Sequence, residues 1–176
     1  MADIFLGVFP AGRLCGVQLT RDSIVAAAVG ILDSYGLADM TMRRVATSLG
    51  VAPGALYWHI ANKQQLIAAI AEKILAPALN DAAGCTPAEL AARLRGAMLS
   101  RRDGAELVAA ALSQPDSATR AVVEKQLAQT LRGDEDLVRA GAASLLHLVL
   151  GATSLEQAQK QYSADTGAEP PAETSA

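Results

Sequence analysis

The chain has 176 residues, enough for one large or two small domains, and 51% of them are hydrophobic. Only 3% are aromatic, and the abundant alanine and leucine favour helices over strands. The formal net charge of −3 argues against a polybasic protein, and the two isolated cysteines, Cys15 and Cys85, argue against a disulfide framework or a zinc site. No apolar run is long enough to span a membrane. We therefore expect an all-α, cytoplasmic protein with reduced thiols.

Charge is distributed unevenly between the two parts of the chain. Residues 20–63 carry four basic and three acidic side chains, whereas residues 64–176 carry ten basic and fourteen acidic ones. The N-terminal part is thus the less acidic, but it has no basic patch. If this part binds nucleic acid, geometry rather than bulk charge must do most of the selection.

The first predicted helix begins after Thr20, a suitable N-cap, with Asp22 in its first turn, and Gly36 ends it. Its apolar residues recur at helical spacing: Ile24, Ala27, Ala28, Ile31 and Leu32. Residues 1–18 are apolar but are interrupted by proline and glycine and have no basic start. We expect a flexible arm there rather than a secretion signal.

Two short helices are predicted next, with very short connections between them. Thr41 can cap a helix over residues 42–49, which Gly50 stops, and a third helix is expected over residues 53–59. Helices one to three together occupy about forty residues, which is the size of a small trihelical DNA-binding unit.

The rest of the chain predicts a helical body. Asn62 can cap a fourth helix over residues 63–76, and Pro77 weakens its end. A linker over residues 80–86 leads to the stretch T-P-A-E at 86–89, which combines a threonine cap, proline at the first helical position and glutamate at the third.

Four helices complete this body, expected over residues 87–100, 105–112, 116–131 and 134–160. The middle of the last helix, around His147, is apolar almost all round, which predicts a central position in the body. The tail over residues 163–176 contains two prolines, small residues and acids, and we expect it to be disordered.

Residues 41–63, T-M-R-R-V-A-T-S-L-G-V-A-P-G-A-L-Y-W-H-I-A-N-K, have the pattern of a helix-turn-helix. Ala46 is small enough to let the second helix approach closely. Gly50 supplies the turn, where a positive φ angle is favourable for glycine. Leu56 is the expected inward-facing residue of the second helix.

The aromatic triplet that follows distinguishes a binding surface from a plain core. A single aromatic residue here would more often pack inside, but Tyr57, Trp58 and His59 are adjacent and cannot all point inward on a helix. Their polar tips and the charge of Lys63 suit phosphate oxygens. Arg43 can reach a guanine edge or a phosphate.

Residues 19–75 resemble the N-terminal domain of the tetracycline-repressor (TetR) family, and the run A-L-Y-W-H-I-A-N-K is especially close to the tetracycline-repressor subgroup. The body contains weaker matches: R-D-G-A at 102–105, G-A at 151–152 and E-Q at 156–157. The resemblance implies a helix-turn-helix domain of three helices over residues 19–65. It also implies a helical bundle over residues 66–162 for ligand binding and dimerisation.

The resemblance further implies a homodimer that binds a double-stranded DNA operator with two-fold symmetry and leaves it when a small-molecule inducer binds. The family's DNA-contacting positions fall on Thr41, Arg43, Pro53, Gly54, Ala55, Tyr57, Trp58, His59 and Lys63. The proline, glycine and alanine lack side chains that hydrogen-bond to bases, although Ala55 can touch a thymine methyl group. The operator should therefore differ from the tetracycline operator.

The polar residues that bind the drug in the subgroup do not carry over. Leu79 and Val108 align with its histidines, so a magnesium–tetracycline chelate, a metal site or another cofactor is not expected. Apolar residues predict instead a small hydrophobic inducer, with candidate contacts at Leu79, Val108, Leu112, His147 and Leu150. Plain core packing of these residues remains the alternative, and a lone histidine on an apolar helix is more often a hydrogen-bonded core residue.

The body is also shorter than that of the subgroup, in its linker, its fifth helix and the helices that close the bundle. This leaves open a helix-turn-helix regulator without any small ligand, either a constitutive repressor or a truncated dimerisation partner. It also leaves open an interaction module that has lost DNA binding. An enzyme is not expected, because the sequence shows no nucleophile–base pair, paired carboxylates, phosphate loop or metal spacing that would define catalytic residues.

Overall fold

A computed structural model describes residues 19–80, 82 and 84–167 of the chain. These residues form eight α-helices and no strand, which confirms the predicted all-α fold. The predicted flexible arm over residues 1–18 and residues 168–176 of the predicted tail lie outside the described residues.

The N-terminal unit has three helices: α1 (Arg21–Tyr35), α2 (Met42–Ser48) and α3 (Pro53–Leu56). The first two begin as predicted, because the hydroxyls of Thr20 and Thr41 accept backbone N–H groups three residues later, at 3.1 and 3.2 Å. Gly36, with φ at 85°, follows α1 in a conformation that favours glycine.

Helix α3 is shorter than predicted, and it ends at Leu56 rather than at position 59. Its start has no side-chain cap, and Gly54 is a weak helix former, so four residues complete the helix. The chain continues as a turn in which the N–H groups of His59 and Ile60 both donate to the carbonyl of Leu56, each at 2.9 Å. The aromatic triplet therefore lies in this turn and not on the helix.

The body contains five further helices: α4 (Lys63–Leu79), α5 (Pro87–Leu99), α6 (Gly104–Leu112), α7 (Ala118–Thr130) and α8 (Glu135–Thr166). Helix α4 continues past Pro77, because the proline lies in its last turn and removes a single backbone donor. Helix α8 extends beyond position 160, so the expectation of disorder from Ser163 onward is wrong for residues 163–166.

One continuous apolar core joins the two parts of the chain. Helix α4 is at its centre and packs against α1, α5, α6 and α7. Its inward face buries Leu66, Ile70 and Leu75 almost completely. Burying each such side chain contributes about 1.5–3 kcal/mol. This packing holds α4, which follows the helix-turn-helix directly, against the body.

The prediction that the middle of α8 is surrounded by the body is wrong. One face of the helix is buried, through Ala142, Leu146, Val149 and Thr153. His147 is exposed, so it is not a core histidine. The opposite face leaves Leu137, Leu148, Leu155 and Tyr162 between 61% and 67% exposed. We call these four residues the α8 stripe.

Candidate nucleic-acid interface

All three aromatic side chains after α3 are exposed to solvent. Trp58 is 90% exposed and Tyr57 is 51% exposed, and His59 is exposed as well. Leu56 before them and Ile60 after them are completely buried. These two apolar anchors fix the ends of the turn and present the triplet outward as one surface.

The turn between α2 and α3 positions this surface. Val45 and Ala46 on α2 are fully buried, and the small side chain of Ala46 lets α3 pack close. Gly50 has φ at 68°, as predicted for the turn. The N–H of Val51 then donates to the carbonyl of Ala46 at 3.0 Å, which closes the turn. The local structure is that of a helix-turn-helix with a very short second helix.

The remaining predicted DNA contacts lie at the ends of the same elements. Pro53 and Gly54 are exposed and Ala55 is half-buried. Lys63 is half-buried in the first turn of α4. The hydroxyl of Thr41 accepts a bond as the cap of α2, which leaves its own hydrogen available to a phosphate. Thr41 and Lys63 both lie where helix N-termini attract anions.

Two adjacent arginines at this surface differ in their surroundings. Arg44 is held by Asp39, at 2.7 Å, and its guanidinium lies 3.8 Å from the centre of the Tyr35 ring. Arg43 is exposed, and its side chain makes no hydrogen bond or ion pair with any described residue. Arg43, the arginine predicted from sequence, is therefore the one available to a ligand. The cluster around Arg44 was not predicted.

A polar junction connects the helix-turn-helix to the body. The Asp103 carboxylate, in the turn between α5 and α6, accepts the backbone N–H of Leu37 at 2.8 Å and the side-chain amide of Gln161 at 2.5 Å. Arg101 pairs with Asp33 at the end of α1, at 2.8 Å. The turn that carries the R-D-G-A sequence thus links α1 to α8.

Gln157 completes this junction from the α8 side. Its amide oxygen accepts the N–H of Ala105 at 2.9 Å, and its amide nitrogen donates to the carbonyl of Arg101 at 2.8 Å. Gly104 is required between them, because a Cβ atom there would be 2.2 Å from the carbonyl oxygen of Met98. Gln157 and Gln161 are thus structural partners of the α5–α6 turn.

Three of the five predicted ligand contacts line one cleft between α6, α7 and α8. The cleft has a volume of about 130 Å³, and its walls include Leu112, His147 and Leu150. Val108 is 1% exposed and belongs to the core, and Leu79 is half-buried against the core. Neither lines this cleft, because α4 and α6 turn these side chains toward their packed faces. Arg120 also lines the cleft and was not predicted.

The chain is similar in sequence to known bacterial regulatory proteins. Residues 24–70 match the pattern of bacterial regulatory proteins of the tetR family. The chain is 31% identical to the class E tetracycline repressor protein of Escherichia coli, over 82% of this chain and 72% of that protein. It is 34% identical to the class D tetracycline repressor protein of Escherichia coli, over 62% of this chain. That alignment covers 53% of the class D protein, so the chain spans about half its length.

Solved structures agree with these sequence matches. A crystal structure of BioQ from Mycobacterium smegmatis has 41% sequence identity and a TM-score of 0.80, and the superposition covers 87% of this chain and 90% of that one. A crystal structure of BioQ with its double-stranded DNA operator has 43% identity and a TM-score of 0.76, covering 82% of this chain and 90% of BioQ.

Proposed function

The chain belongs to the tetR family of bacterial regulatory proteins, and we propose that it is a transcriptional repressor that binds an operator in double-stranded DNA as a homodimer. The similarity to BioQ, a protein crystallised with its DNA operator, supports this proposal. A repressor acts where the DNA lies, so we also propose a cytoplasmic location.

The observation that carries the proposal is the exposed triplet after α3. An indole that is 90% exposed, next to an exposed tyrosine and histidine, is a poor arrangement for a free surface but suits contact with phosphates and sugars. The available Arg43 and the N-termini of α2 and α4 add positive potential to the same elements. The protein thus offers DNA a shaped, weakly basic surface despite its net charge of −3.

Fluorescence anisotropy with labelled DNA from upstream of the protein's own gene tests this proposal. We expect binding that weakens steeply as salt rises, because cations are released from the phosphates. Lys63→Gln should reduce both the affinity and the salt dependence. Arg132→Gln is the matched control, since it removes one exposed charge from the α7–α8 loop and should leave binding unchanged. Salt-independent binding, or equal loss in both variants, would contradict the proposal.

The α8 stripe supports the proposed homodimer. Leu148, Leu155 and Tyr162 are spaced seven residues apart, which is the repeat by which two helices pack along a shared seam. By length and composition, helix α8 is also the one candidate membrane span among the described residues, and an 18-residue stretch of it has a mean hydropathy of 1.3. Its buried face already packs on α5, α6 and α7, so we propose that a second copy, and not lipid, covers the stripe.

Light scattering coupled to size-exclusion chromatography measures this assembly. We expect a dimer for the natural chain and a shift to monomer for Leu148→Glu, which places a charge in the seam. Ala92→Glu adds the same charge to an exposed position of α5, away from the α8 stripe, and should leave the dimer intact. A monomer at all concentrations, or stable binding of the chain to lipid vesicles, would overturn this part of the proposal.

We further propose that a small apolar molecule bound in the body releases the DNA. The cleft lined by Leu112, His147 and Leu150 supports a ligand there. The filled core favours a second candidate, a constitutive repressor or a dimerisation partner with no ligand, because Leu107 and Val108 of α6 are almost completely buried. Release of operator DNA by a ligand that binds the body would separate the two.

A further inference from the structure

We propose that the cleft between α6, α7 and α8 binds short-chain carboxylic acids, with the carboxylate on Arg120 and the chain against leucines. This inference rests on the proposed function and refines its apolar ligand to an acid with a short hydrocarbon chain. It is carried by the combination of an apolar wall, a cation in the same small space, and a hydrogen bond that connects this space to the start of α4.

The wall of the cleft suits a short hydrocarbon chain. Leu112 and Leu146 are 3% exposed, and Leu150 is half-buried beside them. Ala109 adds a fourth apolar side chain, and the whole space has a volume of about 130 Å³. A ligand of this size excludes water from the leucines without displacing core residues.

The polar part of the wall favours an anion. Arg120 carries a positive charge, and His147 and Ser113 add an imidazole and a hydroxyl that can donate hydrogen bonds. Among the described residues, no acidic side chain lines this cleft. A cationic ligand would be repelled by the arginine in the cleft. A neutral alcohol would leave the two terminal nitrogens of the guanidinium without an anionic acceptor, because Glu124 accepts only from Nε.

Arg120 is placed to receive a carboxylate. It lies in the first turn of α7, where its backbone N–H donates to the cap Ser117 at 3.3 Å and the helix end is positive. Its Nε donates to Glu124 at 2.8 Å, and its two terminal nitrogens bond to no described residue. A carboxylate can accept both of these N–H groups in one plane. Such an anion also relieves the placement of a cation at a positive helix end.

The cleft is connected to the DNA-binding unit through the residue after Ser113. The side-chain amide of Gln114 donates to the backbone carbonyl of Gln64 at 3.1 Å. Gln64 lies in the first turn of α4, next to Lys63, at the end of the proposed DNA surface. A ligand that moves the end of α6 would break this bond and shift the start of α4. We therefore infer that the acid lowers DNA affinity.

Isothermal titration calorimetry on the full chain tests the ligand class. The probes are sodium valerate, pentylamine and 1-pentanol, which share the chain and differ in the head group. We expect valerate to bind, and the amine and alcohol to bind at least about tenfold more weakly, because each lacks the charge-assisted pair. Equal binding of all three would overturn the assignment, as would the absence of valerate binding.

Variants locate the site. Arg120→Gln should weaken valerate binding about tenfold or more, and Arg120→Lys should weaken it less because the charge remains. Arg139→Gln is the control: this arginine is exposed, pairs with Asp136 on α8 and does not line the cleft. Leu150→Gln should also weaken valerate binding, because it replaces an apolar side chain of the cleft. Circular dichroism confirms that each variant is folded, and loss of binding in Arg139→Gln but not in Arg120→Gln would refute the site.

The hydrogen bond from Gln114 to Gln64, which connects the cleft to α4, has a separate readout. In Gln114→Ala, valerate should bind with unchanged affinity, while its effect on DNA anisotropy should fall. If valerate binds and Arg120→Gln abolishes this, but DNA is never released, the acid site stands and the sensor function fails. If no DNA binds under any condition while valerate still binds, the proposed repressor function fails and the site stands. If DNA binds normally and valerate does not, the acid site fails.

Discussion

The carboxylate of Asp103 accepts a hydrogen bond from the backbone N–H of Leu37, 2.8 Å away, although the two residues are 66 positions apart in the chain. The second oxygen of the same carboxylate accepts the amide of Gln161 on α8. One side chain thus joins the helix-turn-helix, the α5–α6 turn and the long helix that carries the α8 stripe. A change at Asp103 should therefore affect stability and the relative placement of these parts.

We predict that Asp103→Ala lowers the free energy of unfolding by about 1–3 kcal/mol, because the half-buried N–H of Leu37 loses its acceptor. Urea denaturation followed by circular dichroism measures the change. Asp116→Ala is the matched control. Both aspartates have positive φ angles, 52° and 55°, but Asp116 is exposed in the α6–α7 turn and accepts no bond from a described residue. If both variants lost the same unfolding free energy, backbone strain alone would explain the effect of Asp103→Ala.

Gly36 provides a second test of the same junction. Its φ of 85° is unfavourable for other residues, and a Cβ atom would be 2.6 Å from an oxygen of Asp103. We predict that Gly36→Ala costs about 2 kcal/mol or more in unfolding free energy, from the strained φ and the displaced carboxylate. Thermal denaturation should show a lower midpoint.

Gly30 offers the contrasting substitution on the same helix. It lies inside α1, and a Cβ atom there would meet no atom within 4 Å. Gly30→Ala should therefore raise the unfolding free energy by about 0.5–1 kcal/mol, because alanine is the better helix former. A loss of stability in Gly30→Ala, or none in Gly36→Ala, would contradict this account of the two glycines.

The sequence predicts much of this structure because the decisive signals are local. Threonine caps at positions 20, 41 and 86 bond to residues three positions later, and the structure has each of these bonds. The exposed triplet was also predictable, since three adjacent bulky residues cannot all face inward. Its support in a turn was not, because the length of α3 depends on a missing cap and a glycine that favour termination only slightly.

The junction and the cleft were not predictable from sequence for a different reason. Asp103, Gln157 and Gln114 find their partners between 50 and 66 positions away, so no spacing rule connects them. The sequence contained one indirect signal, the R-D-G-A match, but it did not indicate which backbone groups the aspartate would bind. Similarly, the apolar middle of α8 predicts burial, but only the fold distinguishes a face packed on the body from the exposed α8 stripe.

Glu156 should make the stability of the body depend on pH. Its carboxylate accepts bonds from Lys160, at 2.7 Å, and from Arg95, at 2.6 Å. The hydrogen bond from Lys160, followed by the interactions with Arg95, holds the pKa of Glu156 below its ordinary value of 4.5. A lowered folded-state pKa means that the stabilisation is complete above pH 4.5 and is lost as pH falls through the folded-state pKa.

We therefore predict that Glu156→Gln is less stable than the natural chain at pH 7 and that this difference shrinks toward zero as the pH is lowered below 4.5. Urea denaturation at a series of pH values gives the two curves. Gln129→Ala, at an exposed position of α7, changes no titratable group and should differ from the natural chain by a nearly constant amount. A stability difference for Glu156→Gln that is independent of pH would refute the role of this ion-pair network.

The adjacent arginines of α2 should separate DNA binding from stability. Arg44 is engaged by Asp39 and by the face of the Tyr35 ring, so Arg44→Ala removes an ion pair and a cation–π contact within the N-terminal unit. We expect a loss of about 0.5–1 kcal/mol in unfolding free energy from the cation–π contact of this partly exposed residue. The Arg43 side chain has no described partner, so Arg43→Ala should leave the unfolding free energy nearly unchanged.

For DNA binding we expect the opposite order, with the larger loss of affinity in Arg43→Ala. Arg43→Ala should weaken operator binding by about tenfold, because a lost contact between a guanidinium and a base edge or phosphate costs about 1–3 kcal/mol. It should also reduce the slope of affinity against salt by about one if the partner is a phosphate, whereas loss of a base contact would relax the sequence preference. Arg44→Ala should weaken binding less when both proteins are fully folded, because its guanidinium is held inside the unit. Anisotropy with the same labelled duplex measures both variants, and a greater DNA defect in Arg44→Ala would show that Arg44, and not Arg43, faces the groove.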